Sequence, residues 1–147
     1  MYQIKRSFEI DAGHRVPLHT SKCKNLHGHR YKIDVYISWP DLDTMGFVMD
    51  FGEMKDVFGG WLNDYWDHGM ILQRTDPWAI IIELRQEAFD QKLYLMDDPP
   101  TAECMARHLH DTFKGLVTQR FGGEKASFLK LDLVVYETPN CSARWPS

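Results

Sequence analysis

The chain has 147 residues, of which 44% are hydrophobic and 26% are charged, and its formal net charge is −4. This length and ordinary composition predict one globular domain, residues 1–147, with a core of its own. Because Lys and Arg form no cluster and no apolar run reaches the length of a membrane span, we expect neither a nucleic acid nor a membrane as a partner.

The three cysteines are an odd number and follow no disulfide framework. The first residues, Met1 to Arg6, lack the apolar segment of a signal peptide. Together these features predict free thiols in a reducing compartment, so we expect a cytoplasmic protein.

Two strands are predicted in the first part of the chain. Apolar and polar residues alternate over residues 2–12 and, more regularly, over residues 31–38. Residues 15–26, between these strands, hold proline, serine and asparagine among charges. This segment is long enough to predict a functional loop rather than a plain connector.

An amphipathic helix is predicted next, with Asp50 as its candidate N-cap. Its apolar positions continue to Tyr65, although the pair Gly59-Gly60 lowers its helix propensity. The dipeptide Asp76-Pro77 predicts the start of a second helix over residues 78–91.

The last third of the chain predicts a long helix and a final strand. Thr101 is the candidate cap of the helix, which is expected to end at Gly122-Gly123. Residues 127–137 alternate as a strand, and residues 140–147 are expected to be irregular.

Two short extended pieces are also predicted, at residues 70–72 and 93–96. Strands separated by helices, with clean two-sided alternation, predict a mostly antiparallel sheet with helices on one face. The fold class is therefore α+β.

Three histidines are spaced so that they can meet on one face of this sheet. His27 and His29 are two residues apart, and side chains at i and i+2 share a face only in an extended strand. If the first two strands pair as a hairpin, His14 lies beside them. Three imidazoles with one open position are the ligand set of a catalytic zinc ion. The alternative is two loop histidines beside a buried cysteine.

His108 and His110 repeat the same spacing in a predicted helix. There the two side chains diverge by roughly 200°. We therefore predict that they are surface histidines.

Three further groups could carry acid–base chemistry. Cys23 stands four residues before His27, where its thiolate could act as a base or nucleophile, unless it is an inert apolar side chain. The acid–imidazole pair Asp67-His68 could orient a remote thiol, although a plain turn is the simpler interpretation. Glu137 continues the apolar row of the last strand, where it either faces a pocket or reaches water.

The order of these motifs resembles the 6-pyruvoyl-tetrahydropterin synthase family over nearly the whole chain. The matching segments are Ala12-Gly13-His14, Cys23-x3-His27-Gly28-His29, Met49-Asp50-Phe51, Asp67-His68, Pro100-Thr101-Ala102-Glu103 and Tyr136-Glu137-Thr138. The three-residue gap between Cys23 and His27 is similar to the bacterial branch, which forms 6-carboxytetrahydropterin for queuosine biosynthesis.

The resemblance implies the tunnelling fold, in which a four-stranded antiparallel sheet carries helices on one face. It implies a homo-oligomer of trimers that stack as hexamers, with active sites at subunit interfaces. It also implies Zn²⁺ as the cofactor and a small-molecule pterin as the substrate.

The resemblance assigns a role to each candidate residue. The implied zinc ligands are His14, His27 and His29. The implied catalytic residues are Cys23 as the proton acceptor, Asp67 and His68 as its relay from a neighbouring subunit, and Glu137. The implied pterin-binding residues are Glu137, Thr101 and Glu103.

The expected reaction converts 7,8-dihydroneopterin triphosphate to 6-carboxytetrahydropterin, acetaldehyde and triphosphate. One alternative is 6-pyruvoyl-tetrahydropterin synthase proper, which does not cleave the side chain, and another is a non-catalytic zinc- or pterin-binding protein. Residues 74–98 are longer than in compact members of the family, and Pro99 replaces an expected asparagine. A pterin-binding member with a different reaction is therefore a third alternative.

Overall fold

The computed structural model describes residues 1–146, which are organised around one six-stranded sheet. The strands are β1 (Tyr2–His14), β2 (His27–Trp39), β3 (Met70–Gln73), β4 (Leu93–Met96), β5 (Lys130–Thr138) and β6 (Cys141–Trp145). Their spatial order is β4-β3-β1-β2-β5-β6. The predicted single domain extends to Ser147, which lies outside the described residues.

Helices cover one face of the sheet. They are α1 (Phe51–Met54), α2 (Gly60–Tyr65), α3 (Pro77–Leu84), α4 (Gln86–Phe89), α5 (Ala102–Phe121) and α6 (Gly123–Phe128). A π-helical turn, Lys55–Gly59, joins α1 to α2 and makes them the one amphipathic helix that the sequence predicts. The buried residues of α1, the π-helical turn, α2, α5 and α6 form one core with the apolar rows of β1, β2 and β5, whereas Ala79 and Ile82 of α3 form a second, smaller cluster with Leu72 of β3. The predicted α+β class and the one-sided helix layer are confirmed.

The sheet has six strands rather than the four that were expected. β1, β2, β5 and β6 pair antiparallel, whereas β3 adds to β1 and β4 adds to β3 in parallel. A parallel pair needs a crossover, and α3 and α4 supply it between β3 and β4. The long segment at residues 74–98 is therefore an extension of the sheet edge.

Two predictions for the C-terminal region were wrong. Residues 123–128 form α6, so the final predicted strand begins at Lys130 rather than at residue 127. Residues 141–145, expected to be irregular, form the edge strand β6. Its side chains are mostly exposed on both faces, and such a strand carries no apolar alternation for a sequence to reveal.

The predicted hairpin between β1 and β2 is confirmed in its register. His14 is the cross-strand partner of His27, and Ala12 is the partner of His29. Gly13 faces Gly28 between these pairs, and a Cβ at Gly28 would stand 3.1 Å from the Ala12 carbonyl oxygen. Glycine is required there because the backbone cannot move away.

His108 and His110 are not the surface pair that was predicted. Both are half-buried, and the ring of His108 stacks on Trp66 with an interplanar angle of 12°. The Tyr94 hydroxyl lies 2.6 Å from Nε2 of His108, and burial lowers the pKa of this imidazole. The partner strand, β4, belongs to the sheet-edge extension, so the helix pattern alone could not reveal this contact.

None of the helices in residues 1–146 is long and apolar enough to cross a membrane.

Gly59 and Gly60 form a matched pair of positions for testing how the first helix packs. A Cβ at Gly60 meets no described atom within 4 Å, whereas one at Gly59 would stand 3.0 Å from Cε1 of Phe8. We expect Gly60→Ala to raise the free energy of unfolding by about 1 kcal/mol, because alanine loses less backbone entropy in a helix. Gly59→Ala should raise the free energy of unfolding less than Gly60→Ala does, or lower it. The new methyl group would press on Phe8, which packs against the core. Urea denaturation measures both, and equal gains would contradict this packing.

Candidate metal centre and catalytic site

Four candidate residues converge where β1 ends and β2 begins. His14 is the last residue of β1, His27 and His29 open β2, and Glu137 lies near the end of β5. Their side chains share the parity of the apolar rows that face the helices. The expectation that the three histidines meet on a single face is thus confirmed.

The ligand atoms of this cluster have the spacing of a metal site. One atom from each of His14, His27, His29 and Glu137 lies within 4.8 Å of all the others. Nε2 of His14 is 3.1 Å from Nε2 of His27, and Glu137 Oε1 is 3.0 Å from Nε2 of both His14 and His29. Ligands held about 2.0–2.1 Å from a tetrahedral ion stand about 3.3 Å apart. The four atoms therefore fit around one small cation.

Two backbone carbonyls set the tautomers of the ligand histidines. Nδ1 of His14 is 2.7 Å from the Pro100 carbonyl oxygen, and Nδ1 of His27 is 2.7 Å from that of Asn25. A carbonyl only accepts, so each Nδ1 carries the proton and donates. Each Nε2 is therefore left with a lone pair that points into the cluster.

The cluster has more acceptors than donors. His29 Nε2 is buried and makes no satisfied hydrogen bond within residues 1–146, although Glu137 Oε1 lies 3.0 Å away. The unprotonated Nε2 atoms of His14 and His27 also face each other. Buried acceptors without donors are costly, and a bound cation satisfies all of them at once. This chemistry, and not the motif alone, supports a metal site.

Burial keeps the ligand histidines ready to bind. Desolvation lowers the pKa of His14 and of His29, and it outweighs the opposite effect of the Glu137 carboxylate. Both rings are therefore neutral near pH 7, which is the form that binds a metal ion.

Glu137 lies closer to the histidines than expected. It was predicted to anchor a substrate ring, and the structure places its partly exposed carboxylate within the ligand cluster itself. In this position it could complete the metal coordination or accept N–H donors from a molecule bound beside the metal.

Cys23 lies outside the ligand cluster, in the 3₁₀ turn Lys22–Lys24. The side chain is half-buried, and the Cys23 carbonyl accepts a 2.9 Å hydrogen bond from the Val16 N–H. All three cysteines are free, as predicted. In the sequence this turn lies between His14 and His27, and Cys23 is not a member of the cluster that could hold a metal.

Asp67 and His68 form a fixed pair in the turn between α2 and β3. His68 Nδ1 donates to Asp67 Oδ2 at 2.9 Å, and Asp67 Oδ1 accepts from the Asp11 N–H at 3.0 Å. Desolvation alone would raise the Asp67 pKa, but these hydrogen bonds lower it. His68 adopts a left-handed φ of +57° and donates its N–H to the Asp11 carbonyl at 2.7 Å. A strained backbone held in this way at a dyad is typical of a functional site.

The dyad is not part of the ligand cluster within residues 1–146. The His68 side chain is 76% exposed, and it lines an open depression of about 490 Å³ together with Asp11, Arg30, Gln91 and His29 of the ligand cluster. The His68 ring is therefore open to solvent on the side that does not contact Asp67.

Thr101 and Glu103 stand at the start of α5, directly after the carbonyl that orients His14. Thr101 caps the helix by accepting the Cys104 N–H at 3.3 Å, and Glu103 is exposed in the first turn. The structure thus gives Thr101 a structural role, as the N-cap of α5 next to the Pro100 carbonyl that contacts His14.

Sequence reasoning missed three contributors to the site. These are the carbonyls of Pro100 and Asn25 and the ring of Tyr31, which packs edge-on against His14 and His29. Tyr31 is fully buried, and desolvation raises its pKa. Its shared parity with His29 could have signalled this position, whereas no sequence pattern reveals a backbone carbonyl.

Comparisons with known proteins agree with this geometry. Residues 3–146 match the sequence profile of the family described as 6-pyruvoyl tetrahydropterin synthase. The 6-carboxy-5,6,7,8-tetrahydropterin synthase of Rickettsia felis is 39% identical over 144 residues, which cover 96% of this chain and 97% of that protein.

Solved structures show the same fold. An uncharacterized protein from Wolinella succinogenes superposes with a TM-score of 0.80 at 22% identity, covering 99% of this chain and 98% of that one. The 6-pyruvoyl tetrahydropterin synthase of Caenorhabditis elegans superposes with a TM-score of 0.67 at 20% identity, covering 99% and 95%.

Replacement of one ligand histidine tests the metal centre. We expect His27→Ala to weaken zinc binding by more than about 100-fold, because it removes a direct ligand as well as its oriented Nε2. Zinc content after dialysis against trace zinc, measured by mass spectrometry, should fall to background. The matched control is His110→Ala. His110 belongs to the second pair of histidines two residues apart, in α5, and this variant should keep the wild-type zinc content. Full zinc occupancy in His27→Ala would disprove the ligand assignment.

Proposed function

The chain belongs to the 6-pyruvoyl tetrahydropterin synthase family, and from this we propose that it is a zinc-dependent 6-carboxy-5,6,7,8-tetrahydropterin synthase, a lyase. The proposed reactants are 7,8-dihydroneopterin triphosphate and one water molecule from the solvent, and the products are 6-carboxytetrahydropterin, acetaldehyde and triphosphate. The observation that carries the proposal is the partly buried cluster of three histidine nitrogens and one carboxylate oxygen, in which acceptors outnumber donors.

The three histidines are the proposed zinc ligands. His14 and His27 are held by carbonyls with Nε2 toward the centre, and the buried Nε2 of His29 lacks a protein hydrogen bond among residues 1–146. A zinc ion bound there supplies Lewis acidity and a template for the hydroxyl-bearing side chain of the substrate, whose C–H becomes more acidic.

Cys23 is the proposed proton acceptor. Its thiolate takes the proton from the substrate side-chain carbon, and the electron pair left behind allows triphosphate to leave. Its turn is adjacent to the ligand strand, so the thiol can approach a substrate held at the metal without binding the metal itself.

His68 and Asp67 are the proposed relay for a thiol on another subunit. Asp67 accepts a hydrogen bond from the Nδ1–H of His68. Nε2, on the exposed side of the ring, is then the nitrogen that can act as a base. A base that is open to solvent on its own subunit favours a homo-oligomer with active sites between subunits. We propose trimers that stack as hexamers, as the family resemblance implies.

Exposed apolar surface supports association between copies. Tyr2, Leu42, Phe47 and Phe51 line one groove and are each more than 40% exposed. Contiguous apolar surface of this kind is typical of interfaces. The three free thiols favour a reducing compartment, and we propose the cytoplasm.

Glu137 is proposed to anchor the pterin ring and to share in the proton relay, with Thr101 and Glu103 lining the pterin pocket. The partial exposure of the Glu137 carboxylate, beside the ligand nitrogens, leaves one side of it open to a ring N–H donor. This role predicts that zinc remains bound when the carboxylate is replaced by an amide.

Product identification tests the proposed reaction. The zinc-loaded protein, incubated with 7,8-dihydroneopterin triphosphate, should release acetaldehyde and 6-carboxytetrahydropterin, detected by chromatography and mass spectrometry. Triphosphate release with a pyruvoyl product would instead identify 6-pyruvoyl-tetrahydropterin synthase. Absence of any product would favour a binding protein or a different reaction.

Cys23→Ala supplies the control for that experiment. Loss of a general base lowers turnover by about 10²–10⁴-fold, while zinc content should stay at the wild-type level. Cys104→Ala, at a half-buried cysteine of α5, should retain both turnover and zinc. A non-catalytic protein would show no difference between the two variants.

Mixed oligomers test whether the relay crosses a subunit interface. Cys23→Ala and His68→Ala should each be nearly inactive when pure. If His68 serves Cys23 of the partner subunit, equal co-assembly restores about a quarter of the sites, because each site draws its two groups independently from two chains. Activity of the co-purified mixture, compared with the separate variants, gives this fraction. No recovery would place the relay within one chain.

A further inference from the structure

We propose that Arg15 and Asp76 are positioning residues that hold the Cys23 turn against α3. The inference rests on the proposed function of Cys23 as the proton acceptor. It assigns the sheet-edge extension a role in catalysis, although none of its residues belongs to the ligand cluster.

One guanidinium joins the two segments. Arg15 Nε donates to Asp76 Oδ2 at 2.6 Å, while Arg15 Nη1 donates to the Lys24 carbonyl at 2.9 Å. The side chain of Asp76 is 0% exposed and that of Arg15 is 15% exposed. The fixed fork of the guanidinium makes both bonds from one plane, so the Lys24 carbonyl is held at a set distance from α3.

Asp76 is itself immobilised. Its second oxygen, Oδ1, accepts the Trp78 N–H at 2.9 Å and caps the first turn of α3. Its N–H donates to the Gln73 carbonyl at the end of β3. A buried carboxylate with both oxygens engaged and a paired cation is a rigid attachment point. Arg15 therefore ties the turn to a fixed part of the fold.

The backbone carbonyls of Cys23, Lys24 and Asn25 each accept a hydrogen bond. The Cys23 carbonyl accepts from the Val16 N–H at 2.9 Å, and the Asn25 carbonyl accepts from His27 Nδ1 at 2.7 Å. Between them, the Lys24 carbonyl accepts from Arg15. This middle bond is the one that depends on α3 through Asp76.

Apolar packing beside the turn also holds it against α3. Leu26, the residue between the turn and His27, packs on the small apolar cluster of Leu72, Ala79 and Ile82. That cluster belongs to β3 and α3. The chain on either side of Lys24 is thus held both by an ion pair and by apolar contacts with the same element.

The consequence concerns the thiol rather than the metal. His14 and His27 are oriented by Pro100 and Asn25, and neither bond passes through Arg15. Proton transfer depends steeply on the distance between base and carbon, so loosening the turn should slow turnover with little effect on substrate or zinc binding.

Arg15→Lys is the primary test. A lysine keeps the positive charge that the buried Asp76 needs, but a single ammonium cannot reproduce the planar fork. Asp76→Asn is the second variant, because asparagine still caps α3 while the ionic partner is lost. Arg74→Lys is the matched control, because the Arg74–Asp97 pair lies in the same segment at 59% and 87% exposure.

Three readouts apply to each zinc-loaded variant. We expect kcat for Arg15→Lys and Asp76→Asn to fall about 10- to 100-fold with KM changed less than about twofold. Alkylation of Cys23 by iodoacetamide without substrate, followed by peptide mass spectrometry, should become at least about threefold faster as the turn loosens. The zinc content of both test variants should equal that of the wild type. Arg74→Lys should equal the wild type in its kinetic constants, its alkylation rate and its zinc content.

The outcomes separate the two proposals. Wild-type values of kcat and alkylation in both test variants would overturn the positioning role while the proposed reaction stands. Loss of zinc from a folded Arg15→Lys or Asp76→Asn variant would also overturn it, because the pair would then serve the metal. If the wild type forms no product, the reaction fails, and the alkylation ratio alone decides the positioning role. If one variant does not fold, the other decides.

Discussion

The register between β1 and β2 is the constraint on which the site depends. Side chains alternate between the two faces of a sheet, so a slip of one residue would move His14 away from His27 and His29. The pairing continues without interruption from Tyr2 opposite Trp39 to His14 opposite His27. Burial of apolar rows far from the site selects this register. The same interactions that form the core therefore bring the three histidines together.

A bound cation would stabilise the polar cluster at the end of that hairpin. His14 is buried in the core, His27 and His29 are partly buried, and neighbouring carbonyls fix the protons of His14 and His27 on Nδ1. What remains inside is a group of acceptors whose mutual repulsion a cation would relieve. Metal binding should therefore add to the stability of the folded state, as linkage requires for any ligand that binds only the native form.

Much of the fold and of the metal-ligand cluster could be predicted from the sequence, because both follow from side-chain alternation. The parity of His14, His27 and His29, together with the predicted hairpin, was enough to place these three on one face, and the parity of Glu137 continued the apolar row of the last strand. The strand β6 could not be predicted, because an edge strand with both faces exposed has no apolar pattern. His108 was misplaced because its partner, Tyr94, comes from a strand added to the sheet edge. The pairing of Arg15 with Asp76 is equally invisible in sequence, since it joins distant segments through side chains alone.

The order in which the site can form follows from the lengths of the chain that its contacts span. His14 and His27 are 13 residues apart and meet as soon as one hairpin closes. The bond from Arg15 to Asp76 spans 61 residues, and that from His14 to Pro100 spans 86. Closing long loops slows folding, and contacts of this kind form late. During folding His14 and His27 can therefore meet before Arg15 ties the Cys23 turn to Asp76 and before the Pro100 carbonyl orients His14.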